Sequence, residues 1–195
     1  QISLILLIWK KHYQEVEKIR RTGDMIPNKD FSIWLIGPSA AGKTTISKLL
    51  YENLKKNSNL ILVDGDKIRN LYENNLGYDK ESRIKNTHRY INLVKWLMEY
   101  NISSITAVIS PFQNEREICR KNIKNYYEIY LKSSLEERIK RDKKKLYLPA
   151  INGEKKNVVD VDIPFETPIK CDLEIETDNK TPSIIIEEIL KRINI

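Results

Sequence analysis

A chain of 195 residues is long enough for one domain with a full hydrophobic core. Its 41% hydrophobic and 31% charged residues exclude a disordered polyelectrolyte, a collagen-like repeat and a membrane bundle. The two cysteines, Cys119 and Cys171, lie far apart and form no CxxC pair, which argues against a disulfide framework or a zinc site and predicts a reducing, cytoplasmic setting.

The net charge of 34 − 27 = +7 suits anionic partners, and it is regional. Residues 132–156 hold nine Lys/Arg against four acids, whereas 158–195 hold four against nine. The basic segment interleaves only one aromatic, Tyr147, and shows no recognition motif, so nucleic acid is not an expected partner. The apolar run 2–9 is far shorter than the roughly 20 residues a bilayer span needs. It lacks a basic leader and a cleavage site, so no membrane association is expected. The spacing predicts instead an extension over 1–30: this run packed on the domain or on a partner subunit, a polar helix over 12–21, and a linker over 22–30. A homodimer is left open.

From residue 31 strands and helices alternate. Residues 31–36 (FSIWLI) read as a buried strand, and 44–56 as a helix with Ile46, Leu49, Leu50 and Leu54 on one face. Strands follow at 60–63, 105–109, 126–131 and 173–176, with helices at 80–100, 114–124, 135–143 and 182–193. Residues 144–165 carry Pro149, Gly153 and Pro164 without a clear period; beside the basic cluster they read as a structureless, mobile lid. The expectation is an α/β domain over 31–195, a parallel sheet flanked by helices with a basic lid at about 144–165.

Gly37-Pro38-Ser39-Ala40-Ala41-Gly42-Lys43-Thr44 fits GxxxxGK[ST] at every fixed position, between a strand and a helix. Such a P-loop turns backbone N–H groups of Gly37, Ser39, Ala40, Ala41, Gly42, Thr44 and Thr45 toward phosphate and adds a helix N-terminus. Lys43 is placed to meet the β- and γ-phosphates of ATP, and the Thr44 hydroxyl to ligate Mg²⁺. At the end of the second strand, Asp64-Gly65-Asp66-Lys67-Ile68-Arg69 sets carboxylates at the sheet edge where ligands of such folds bind. A carboxylate there can hold Mg²⁺ or the attacking group, Asp64 and Asp66 flank Gly65 so that the backbone can approach a ligand closely, and Arg69 can take a bidentate grip on an anion. The competing reading is an acidic turn capping a helix. Ile109-Ser110-Pro111-Phe112 ends the third strand at the same edge, where Ser-Pro is commonly only a turn.

Taken in order, these segments resemble the adenylyl-sulfate kinases. The resemblance rests on the P-loop, the DGDxxR run Asp64–Arg69, Leu76-Gly77-Tyr78 with Arg83 and Asn86, and Ile109–Phe112 with Arg116. Arg141-Asp142, Leu146-Tyr147 and Pro164-Phe165-Glu166 complete it. It implies a P-loop NTPase-like kinase that moves the γ-phosphoryl of ATP to the 3′-hydroxyl of adenylyl sulfate, a small nucleotide. By resemblance Asp66 is the general base, with Lys43 and Ser110 also catalytic, and Asp64 and Thr44 serve the Mg²⁺. Arg69, Tyr78, Arg83, Asn86, Ile109 and Phe112 join Asp66 and Ser110 around the acceptor, and Arg141 lies against the base of ATP.

The lid departs from the family's KGLYKKAR-x-GEIK-x-FTGIDDPYE. Leu148, Pro149 and Ile151 replace two lysines and an arginine, and Val158 stands where an aromatic sandwiches the acceptor's adenine. Glu73 replaces an asparagine. The phosphoryl-transfer residues are intact while acceptor recognition is altered. A same-fold kinase of another nucleotide, such as cytidine diphosphoramidate, is therefore the alternative, and a P-loop binding module without turnover is a third.

Overall fold

The computed structural model describes residues 30–56 and 58–193, so the expectations for 1–29 lie outside the described residues. Five strands form one parallel sheet in the order β2-β3-β1-β4-β5: β1 Ser32–Ile36, β2 Leu60–Asp64, β3 Ser103–Ala107, β4 Tyr126–Lys132 and β5 Leu173–Glu176. The crossovers carry α1 Lys43–Leu54, α2 Gly65–Leu71, α3 Lys80–Glu99, α4 Gln113–Asn122, α5 Leu135–Lys140 and α6 Tyr147–Ile151, and α7 Pro182–Ile193 follows β5.

β1 is buried throughout because both faces of the sheet are covered. Its successive side chains point to opposite layers. Ile33 and Leu35 pack with Ile46, Leu50 and Leu54 of α1 and with Ile185, Ile186 and Ile189 of α7. Trp34 and Ile36 pack with Ile91, Val94 and Leu97 of α3 and Cys119 of α4. The buried polar groups of this central strand are paired: Trp34 Nε1 donates to Ser32 Oγ at 2.9 Å, and the Ser32 and Ser104 hydroxyls meet at 2.8 Å. Truncating a fully buried anchor such as Leu50 to alanine costs about 2–5 kcal/mol.

Most expected elements are present with ends shifted by one to three residues. Leu49, expected on the buried face of α1, is 39% exposed, because Ile46, Leu50 and Leu54 already fill that face. A helix does follow the acidic turn, over Gly65–Leu71, and Asp64 caps it: its Oδ1 accepts from the Asp66 and Lys67 N–H groups at 3.0 and 3.2 Å. Residues 144–165 are not structureless. They contain α6, and beyond it the Asp162 carboxylate accepts from the N–H groups of both Asn157 and Val158 at 2.6 Å, folding the return of the segment into a tight turn. A side chain that bonds its own neighbouring backbone leaves no periodic trace in a sequence.

Chain order runs outward from β1 to β2 by skipping β3, then reverses, so the carboxyl end of β1 lies where neighbouring crossovers diverge. Open α/β sheets bind ligands at that point. The loop after β1, the end of β2 and the segment after β3 all meet there.

Candidate active site

The loop between β1 and α1 is built by two glycines for different reasons. Gly37 has φ +146, and a Cβ there would stand 2.5 Å from Leu131 O, so a side chain has no room. Gly42 has φ +94 with open space around it, so it supplies conformation alone. As N-cap of α1, Gly42 brings no side-chain acceptor, and the first-turn N–H groups of the helix remain available to an anion. Lys43 Nζ lies under the loop, donating to Gly37 O at 2.8 Å and Pro38 O at 2.6 Å. Its ammonium is enclosed by protein although the residue as a whole is half-buried. That burial, aided by the nearby Lys144 and Arg138 charges, pulls its pKa down to about 7.

A cavity of about 610 Å³ opens over this loop. Lys43, Lys48, Arg69, Arg83, Arg141, Lys143 and Lys144 line it against Asp64, Asp66 and Asp142, so it favours an anionic occupant. The Thr44 hydroxyl faces Asp64 Oδ2 at 3.4 Å, while the other oxygen of Asp64 is used by the α2 cap. Asp66 lines the cavity as an exposed carboxylate paired with Lys144.

The far wall is carried by α3, whose residues Arg83, Asn86, Thr87 and Tyr90 share one face at helical spacing. Asn86 donates to Tyr90 Oη, which in turn donates to Gly65 O at 3.3 Å. Asn86 Oδ1, in a residue 2% exposed, has no partner, nor has Ser110 Oγ, in a residue 4% exposed. Both residues line the cavity. Buried polar atoms are normally paired, so two orphans in the lining of one cavity mark places for a polar ligand. Ser110 also sits at φ +48, an uncommon conformation for serine, held by Arg116 Nη1 donating to its carbonyl at 2.8 Å. Arg69 Nη1 donates to Leu76 O and Gly77 O, both at 3.1 Å, and its guanidinium lies 4.5 Å from the Tyr78 ring centre. Arg83 lies 5.6 Å from the same ring. Burial and the neighbouring Arg69 charge bring the Arg83 pKa down to about 10.

The adenylylsulphate kinase sequence pattern matches residues 29–176, more than half of the chain. The chain belongs to the adenylyl-sulfate kinase family. A cytidine diphosphoramidate kinase of Campylobacter jejuni is 42% identical over 72% of this kinase and 83% of its own length. A probable adenylyl-sulfate kinase of Pyrococcus abyssi is 36% identical over 83% and 94%. The structure of the Mycobacterium tuberculosis APS kinase CysC, in complex with AMPPNP and APS, superimposes with a TM-score of 0.80 at 24% identity, covering 87% of this chain and all of that one. The fold is that of a P-loop kinase.

Within the kinase, Ser39, Ala40, Gly42, Lys43, Thr44, Thr45, Asp64, Asp66, Arg69, Tyr78, Arg83, Asn86, Ile109, Ser110 and Arg141, all singled out in the sequence, line this same cavity. Four positions differ. Gly37 and Ala41 stand behind the loop: Gly37 N–H donates to Ile109 O at 3.2 Å, and Ala41 is fully buried with its N–H toward Pro38 O. Phe112, expected against the acceptor, is 5% exposed and packs with Val159 and Ile163, because α4 starts immediately after it and turns its ring inward. Val158, expected over the acceptor's base, is 5% exposed in a cluster with Tyr147 and Ala150, since the Asp162 turn folds it under the segment. Arg141 bonds Thr177 O and Oγ1 at 3.3 and 3.4 Å, which fixes its position at the rim.

Sequence reasoning missed Thr87 and Tyr90, although their i+4 spacing from Arg83 and Asn86 put them on the same helix face. It also missed Tyr147 Oη, which donates to Ser39 O at 2.8 Å and ties α6 to the loop. Nothing in the sequence signals a contact spanning 108 residues.

Proposed function

We propose that this kinase transfers the γ-phosphoryl group of ATP to the 3′-hydroxyl of adenylyl sulfate, forming 3′-phosphoadenylyl sulfate and ADP. The observation that carries this reading is the convergence of the Lys43 loop, the Asp64–Asp66 pair and the unpartnered Asn86 and Ser110 on a single cationic cavity. Membership of the family supports both substrates.

The loop N–H groups and Lys43 hold the triphosphate; Lys43 leaves the Gly37 and Pro38 carbonyls to meet it. Magnesium fits the donors present. Thr44 Oγ1 and Asp64 Oδ2 are hard oxygens facing each other at 3.4 Å, and Mg²⁺ is typically held by one or two such groups together with phosphates and water. When bound it neutralises charge on the phosphates. Asp66 accepts the proton of the acceptor hydroxyl once Lys144 has moved aside, a contribution of about 10²–10⁴ in rate. Arg69 and Arg83 hold the acceptor's anionic groups, Tyr78 stacks on its base, and Asn86 and Ser110 bond its polar edge. Arg141 lies against the base of ATP. Residues 144–165 cover the site, and excluding water there suppresses wasteful transfer to solvent.

A second reading has one specific support. The relative named for cytidine diphosphoramidate is 42% identical, and with Val158 turned inward residues 144–165 bring no aromatic into the cavity lining to oppose Tyr78. That suits a smaller base. An ADP-release assay offering adenylyl sulfate and cytidine diphosphoramidate separately decides between them. A kcat/KM at least tenfold higher for adenylyl sulfate supports the first reading; the reverse ratio replaces it with the second, and no release with either removes both.

A further inference from the structure

Arg138 of α5 lies outside the cavity lining yet joins its two sides. The residue is 3% exposed, and each arm of its guanidinium is engaged. Nε donates to Ser133 O at 3.1 Å and Ser134 O at 3.3 Å, Nη1 to Tyr147 Oη at 2.9 Å, and Nη2 to Asp160 Oδ2 at 2.5 Å. Tyr147 passes the connection on. Its hydroxyl accepts from Arg138 and donates to Ser39 O at 2.8 Å, using both its capacities in a fully buried position. A trans peptide directs its N–H opposite to its C=O, so a bond that fixes Ser39 O also fixes the Ala40 N–H on the other side of the plane. Ala40 needs such support: it sits at φ +61, uncommon for a residue with a side chain, and Ala40 lines the cavity. At the other end of the connection, Asp160 belongs to the return of the covering segment, where its N–H donates to Ile163 O at 2.7 Å.

We propose that Arg138 is a positioning residue for ATP: through Tyr147 it orients the Ser39–Ala40 peptide, and through Asp160 it makes that orientation depend on residues 158–163 being folded back. An arginine suits the task because its planar fork reaches partners in three directions at fixed angles, which a lysine cannot do. The proposal rests on reading the loop 37–44 as the triphosphate cradle.

The test is calorimetric binding of Mg·ATP to the full chain, paired with steady-state KM for the acceptor. Tyr147→Phe keeps the ring in its pocket and removes only the hydroxyl. It is expected to weaken Mg·ATP binding about tenfold, because the bond that holds Ser39 O is lost together with the one from Arg138, while acceptor KM stays within about twofold. Arg138→Lys is expected to weaken it similarly. The double variant Tyr147→Phe/Arg138→Lys is expected to lose no more than the worse single one, because both act through the same bond. Equal binding by wild type and Tyr147→Phe, acceptor KM rising by the same factor, or losses that multiply in the double variant each overturn the positioning role. Should Tyr147→Phe not fold, Asp160→Asn decides: its carboxylate is 41% exposed, and a threefold or greater loss of ATP affinity supports the role while an unchanged affinity overturns it. Wild type failing to bind Mg·ATP is a separate result, which removes the reading of the loop itself.

Discussion

Lys144 and Asp66, 78 residues apart, form an ion pair across the mouth of the cavity, with both side chains about 60% exposed. Pairs this open contribute about 0–1 kcal/mol, so the contact is easily exchanged for a ligand. Asp66→Asn is therefore expected to melt within about 4 °C of wild type while kcat falls by about 10²–10⁴ and ATP affinity changes less than about threefold. An unaltered kcat, measured by coupled ADP release, places the base elsewhere.

Lys43 gives a pH signature. In the free protein its pKa is held near 7 by burial and by neighbouring cations. A bound triphosphate restores the charged form and raises that pKa, so the affinity it contributes is full below about pH 7 and is lost as pH rises from there through the pKa of the complex. Calorimetry at pH 8 in two buffers of different ionisation enthalpy should register proton uptake on ATP binding, and Lys43→Met should abolish both that uptake and turnover. Wild type binding without proton uptake contradicts the assignment.

Tyr78 is 53% exposed yet lies under two guanidiniums, which orients its ring without burying it. Tyr78→Leu is expected to raise acceptor KM about tenfold and leave ATP KM within about twofold, since a stacking contact is worth about 0.5–1.5 kcal/mol beyond its area. Equal changes in both constants mean that the ring serves the fold rather than the acceptor.

Val158 separates two accounts of residues 144–165. A residue facing the acceptor gains affinity from an aromatic replacement; a residue in the Tyr147–Ala150 cluster has no space for one. Val158→Phe is expected to destabilise by about 1–3 kcal/mol, seen as a melting midpoint lowered by several degrees, with no gain in acceptor affinity. A tighter acceptor KM at unchanged stability reverses this.

The P-loop was legible because its function is local: eight consecutive residues carry the turn, the lysine and the hydroxyl, and Phe31–Ile36 and Ile46–Leu54 show strand and helix periods on either side. Asp64 was legible as a strand-end carboxylate, and its two oxygens satisfy both readings of the motif, one capping α2 and one facing Thr44. Glu128 shows the limit of such reading. It sits in an alternating strand pattern, yet it is 1% exposed, accepting from Tyr126 Oη at 2.9 Å with Arg120 3.5 Å away, and burial raises its pKa. A partner from its own strand and a cation from α4 together make a carboxylate tolerable there, and the second leaves no trace in the strand's own pattern.

By itself the sequence determined the layered α/β order, the phosphate loop and the carboxylates at the sheet edge, because spacing along one strand, turn or helix dictates them. Tertiary structure decided which side chains share the cavity. Phe112 and Val158 were drawn into apolar clusters, Thr87 and Tyr90 were added from α3, and Tyr147 was joined to Ser39 across 108 residues. The physical reason is that burial and hydrogen-bond satisfaction are settled between elements, and no local period encodes which distant neighbour will fill a space or complete a bond.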